Sequence, residues 1–233
     1  MTDHRLAGIA LIAGQLGLIL TLALHPSGKI TPAEVDAMVR KLIAVHSIAL
    51  ASLPLMILGA LGLARALWPA PNRLSVVAFV LYVFGIAALL SGIVIDGLVM
   101  PRLLPHLADA AQAAAAQAHG SAPAPAAPAD TWRTLMKYNG YLDMAFVQVS
   151  MIASAAAIAA WSCAMIFGAN TSGKLFSRGA GAYGLILGVL VLAGLFTGLF
   201  AAEHAISIVV FGQASWFIVV GSLLCARSGT AIT

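Results

Sequence analysis

At 233 residues the chain is 61% hydrophobic and only 9% charged, with a formal net charge of +4 and a pI near 9.4. Soluble domains carry about a quarter charged residues, so this composition excludes a water-exposed globule and leaves an integral membrane protein. The basic excess has no stripe interleaved with aromatics that would grip a nucleic acid, and it fits loops lying against anionic lipid.

Six apolar segments follow in chain order, at about 6–24, 42–64, 74–99, 142–167, 180–201 and 205–225. Each holds the ~20 apolar residues that a helix needs to cross a hydrocarbon core of about 30 Å. Runs such as Ala153 to Ala160 and Leu185 to Leu192 lack the period-two alternation of a membrane barrel. The predicted fold is all-α: one polytopic six-helix transmembrane bundle over residues 1–233.

The first segment follows Arg5, as a secretory leader would, but its apolar run is longer than an h-region and ends Leu22-Ala23-Leu24-His25-Pro26 without a small-x-small cleavage pattern. It reads as a retained helix terminated by His25. Before the second segment, Thr31-Pro32-Ala33-Glu34 is a capping box with proline at the first helical position, which predicts a helix start. From there Val35, Met38, Val39, Leu42, Ile43 and His46 form one stripe at three- and four-residue spacing, so His46 continues an apolar face directed into the bundle. Pro54 is placed to kink that helix. The third helix carries Asp96 close to its predicted end at Met100-Pro101-Arg102, with Arg102 and His106 at the interface.

Residues 107–130 change to Ala and Gln and then to alternating Pro, which reads as a short helical stub followed by an outer-side tether, with His119 inert within it. In the fourth helix Trp132, Tyr138 and Tyr141 suit an interfacial aromatic belt. Asn139 and Asp143 share one face there, with Ser150 two turns further on. The last two helices are joined almost without a loop, so Glu203 and His204 mark the hairpin tip. Gly184-x-x-x-Gly188, Gly194-x-x-x-Gly198 and Ala153 to Ala160 are small-residue seams for close packing, within the chain, in a homo-oligomer or against a membrane-complex partner. Gln15, Gln148 and Gln213 are expected to hydrogen-bond between helices, and Cys163 and Cys225, without a C-x-x-C, to pack.

Lys and Arg divide evenly, six to each side of the membrane. The two short loops at 65–73 and 168–179 each carry two basic residues and no acid, which predicts that they and both termini are cytoplasmic. In its Ala-rich composition the chain resembles, in general character, small six-span membrane proteins of GC-rich bacteria. That resemblance implies a multi-pass protein of the bacterial inner membrane.

The chemistry gathers at the outer end, where His25, His46, Asp96, Asn139, Asp143, Glu203 and His204 fall at one level. An ionisable group in an apolar helix costs about 2.5–3.5 kcal/mol on insertion scales, so such groups are paired or functional. Imidazole and carboxylate together suit Zn²⁺, Cu²⁺ or Fe²⁺, which makes His46, Asp143 and His204 the expected metal ligands, with His25 and Arg102 secondary. A b-type haem between facing histidines such as His46 and His204, or a quinone, would use the same layer. Bland readings stand beside these: a salt bridge from Asp96 to Arg102 or Lys137, capping by His25, and a solvated tip at Glu203 and His204.

Two further functions remain open at this level, a structural or assembly subunit whose polar layer locks its helices and a proton-coupled transporter. The motifs give no ground for hydrolysis or ATP use, and no residue is read as catalytic. A channel is disfavoured because the cytoplasmic half carries almost no polar residues.

Overall fold

The computed structural model describes residues 3–26, 34–68, 73–118, 129–167, 174–199 and 203–227. Within them the chain is helical: α1 (Asp3–Leu24), α2 (Val35–Leu67), α3 (Leu74–Val94), a π-helical turn (Ile95–Val99), α4 (Met100–Ala118), α5 (Ala129–Phe167), α6 (Lys174–Phe196) and α7 (Glu203–Arg227). Six helical stretches are long and apolar enough to cross a membrane, α3, the π-turn and most of α4 counting as one. The capping residues Thr31 to Ala33 and the Pro-rich stretch at 121–128, with His119, lie outside the described residues.

The spans close into a ring. α1 packs on α2 and α7, α3 on α2 and α5, and α6 on α5 and α7, while α4 lies against α2 and α5. The helices of this ring approach one another closely at small residues. At Gly59 the α2 backbone approaches α1 so nearly that a Cβ there would lie 2.6 Å from the Leu11 Cα. Gly59→Leu is therefore expected to force the two backbones apart, with a stability loss of about 3 kcal/mol, at the upper end for overpacking, read as a lowered unfolding transition in detergent.

Gly184 and Gly188 of α6 face Ser162, Ala155 and Ala159 of α5, so this seam is filled within the chain. At Gly198 the second seam is not filled from within the described chain: α6 ends at Phe196 rather than at 201, Gly198 adopts φ +75°, and nothing lies within 4 Å of where its Cβ would be. Gln15 and Gln213 do bond between helices, to the Tyr82 hydroxyl (3.1 Å) and the Met151 carbonyl (3.0 Å). Cys163 and Cys225 are not disulfide-bonded, and the Cys225 thiol donates to the Arg5 carbonyl at 3.7 Å.

One helix face and two boundaries differ from the sequence reading, the first boundary being α5, which begins at Ala129 and not at 142 because Trp132 to Tyr141 continue the same helix. The α2 stripe of Val35, Met38, Val39 and Leu42 packs on Leu104, Ala108 and Met136, but Ile43 points outward at 42% exposure. The third helix does not stop at Pro101. A proline lacks the amide hydrogen and its ring would collide with the carbonyl four residues back. The turn before it widens to π geometry, with the Met100 amide bonded to the Ile95 carbonyl, and the helix runs on to Ala118.

The bundle's centre is aromatic. Trp161, Trp216, Tyr82 and Phe217 are all nearly fully buried, with the Tyr82 ring 4.9 Å from Phe217 and 5.6 Å from Trp161. The Trp216 indole donates to the Ala180 carbonyl at 2.9 Å. These rings belong to the main core, joining α3, α5 and α7, and the polar site lies outside that cluster.

Candidate metal centre

Asp96 sits in the π-turn, which re-aims its side chain away from the lipid-facing rows and toward α1 and α2. Its Oδ2 lies 2.8 Å from Nε2 of His25 and 3.1 Å from Nε2 of His46. One ligand atom from each of these three residues falls within 4.8 Å of the others. Gly97 makes the approach possible, since a side chain there would overlap the His46 Cβ. His46 is 6% exposed, Asp96 21% and His25 37%, so the cluster grades from the interior toward the end of the bundle.

The His46 ring is fixed from behind. Its Nδ1 is 2.8 Å from the Leu42 carbonyl, which only accepts, so Nδ1 carries the hydrogen. In neutral imidazole Nε2 is then a bare lone pair, and it faces the Asp96 carboxylate oxygen, another acceptor. Only a proton or a metal cation between them makes that contact attractive. A backbone carbonyl holding the far ring nitrogen is also the usual support of a ligating histidine.

Asp143 stands on the opposite wall, its Oδ1 packed over Gly92. It has no hydrogen-bond or ion-pair partner among the described residues. Between Asp143 and the cluster opens a cavity of about 230 Å³ whose remaining walls include Leu18, Leu22, Ala49, Ile93, Met144 and Ile206. A site with a few convergent polar groups in an otherwise apolar cavity is the usual form of a small-ligand pocket.

Placed against the expected layer, the structure joins His46 and Asp96 and promotes His25 from a capping residue to a full member. Asp96 pairs with the two histidines, not with Arg102 or Lys137, and Arg102 is exposed. Asn139 is drawn elsewhere, donating to the Met100 sulfur at 3.5 Å. His106 stacks on Trp132, their rings 4.9 Å apart. The side chains of Glu203 and His204 lie outside the described residues, so the expected ligation by His204 stays untested. The sequence signal for His25 was present in its position one residue beyond an apolar helix, but ligation needs a contact 71 residues away, which no spacing reveals.

No protein-family model, no curated protein and no solved structure matches the chain.

Proposed function

We propose that this is a multi-pass inner-membrane protein that binds a divalent transition metal through His25, His46 and Asp96, at the mouth of a one-ended cavity on the outer side. The observation that carries the reading is the fixed His46 tautomer, whose Nε2 lone pair converges with Asp96 on a point that calls for a cation. Two imidazoles and one carboxylate suit zinc or ferrous iron and leave coordination positions open toward the cavity. Ligands on a tetrahedral zinc stand about 3.3 Å apart, given bonds of about 2.0–2.1 Å, so each His–Asp contact needs about half an ångström of expansion or less, while the two imidazole nitrogens, within 4.8 Å of each other, settle to the same spacing. Asp143 then faces the open positions, where it would accept a hydrogen from whatever occupies them.

Haem is less well served by this geometry. The rings of His25 and His46 are 5.4 Å apart and T-shaped, with both Nε2 atoms on one oxygen, which leaves no plane for a macrocycle between them. Transport across the bundle finds an obstacle in the central aromatic group, which argues for a vestibule rather than a path. The rival with an observation in its favour is structural: Asp96 ties the end of α1, α2 and the π-turn together, and polar groups so paired also serve as helix locks.

Competition titration with Zn²⁺ in detergent separates the two. Because both imidazoles must be unprotonated to ligate, affinity is expected to fall on acidification by up to about tenfold per pH unit for each proton displaced, approaching hundredfold with two. A helix lock predicts no stoichiometric zinc at any pH. The orientation is carried by the basic short loops and is checked by labelling cysteines introduced at 69 and 171 from either face of the membrane.

A further inference from the structure

Beneath the metal cavity lies a second, smaller chamber of about 60 Å³, and the two share the walls Leu18, Leu89, Val147 and Val210. Its lining is unusually polar for the middle of an apolar bundle: Gln15, Tyr82, Ser150, Ser154 and Gln213. All five are at most 8% exposed. Serines inside these helices ordinarily bond the carbonyl four residues back, as Ser47, Ser52, Ser91 and Ser222 do. Ser150 and Ser154 make no such bond, and no other, among the described residues. Gln15 and Gln213 use their amide nitrogens on Tyr82 and Met151, and the oxygen of each side-chain amide accepts nothing among the described residues. These hydroxyls and amide oxygens are therefore open to a partner inside the chamber.

Water is one such partner, but the chamber shares four apolar walls with the upper cavity, so the two polar groups stand at either end of one apolar stretch. That order of walls matches a molecule with the same order of parts: polar, apolar, polar. Ser150 and Ser154 lie seven and eleven residues beyond Asp143 on α5, about 10 and 16 Å at 1.5 Å per residue. We infer that the two cavities form one elongated site for a linear, medium-chain amphiphile oxygenated at both ends, its head at the His/Asp cluster and its far hydroxyl or carbonyl held by Ser150, Ser154 and Gln213. The head end rests on the metal reading, while the far end rests on the unpartnered serines and amides.

The test uses decanol and decanediol as probes, titrated calorimetrically into the full-length, zinc-equilibrated protein in detergent, with zinc content measured on the same samples. Both probes partition into micelles, so the readout is the decanediol-to-decanol affinity ratio of wild type relative to the Ser150→Ala/Ser154→Ala variant. Two hydrogen bonds at the far end predict a ratio roughly tenfold higher in wild type, with zinc binding unchanged in the variant. Equal ratios in the two proteins would overturn the elongated site and leave the chamber to water. A tenfold difference in protein that takes up no zinc would uphold it and remove only the metal.

Discussion

Asp96→Asn is expected to weaken Zn²⁺ binding by about a thousandfold while leaving the metal-free protein as stable as wild type. The carboxylate is the one anion among the three convergent ligands, and a carboxamide offers a neutral oxygen in its place. In the absence of metal the same carboxamide can donate to the lone pair of His46, whose Nδ1 hydrogen is committed to Leu42, so the helices stay tied. The structural reading shares that expectation for the metal-free protein and differs over the metal. If the His–Asp contacts only lock α1, α2 and the π-turn, wild type and variant alike bind no zinc, and zinc raises the unfolding transition of neither. Zinc competition and the unfolding transition, measured on one preparation of each protein, distinguish the two.

The second large effect concerns the aromatic core. Trp161 is fully buried, ringed by Tyr82, Trp216 and Phe217, with centroids 5.6, 6.3 and 6.2 Å away. Trp161→Ala leaves a void among rings that cannot collapse onto one another and is expected to cost about 3–5 kcal/mol. Trp161→Phe is the informative control. The indole nitrogen of Trp161 has no hydrogen-bond partner among the described residues, so losing it forfeits no bond, and the cost should stay below about 1.5 kcal/mol. Thermal unfolding in detergent reads both variants. A mild Ala and a severe Phe variant would mean that the nitrogen, not the ring, holds the centre together.

The six long apolar helices were legible because length and apolarity are local properties of sequence. Helix ends were less so. Pro101 is a sound stop signal in an ordinary helix, and only the π-turn ahead of it, stabilised by packing against α2 and α5, lets the helix continue. Gly198 read as half of a packing seam because spacing alone does not show which glycine will take a left-handed conformation.

The site was legible as a layer but not as a constellation. Composition placed His46, Asp96 and Asp143 at one depth, since ionisable groups stand out against apolar helices. Which of them converge depends on helix rotation and on two glycines: Gly97 admits His46, and Gly92 seats Asp143. Asn139 shares the depth and the helix face of Asp143, yet the neighbouring Met100 engages it. The lower chamber was half visible, because Gln15 and Gln213 were expected to bond across helices and do. What no pattern could show is that Ser150 and Ser154 forgo their own backbone carbonyls.

The most direct test of the central claim is the metal content of the protein purified from membranes without added metal or chelator, beside a His25→Ala/His46→Ala variant prepared in parallel. The account predicts close to one zinc or iron per wild-type chain and a small fraction of that in the variant. Metal-free, well-folded wild-type protein that also fails to take up zinc on titration would contradict it.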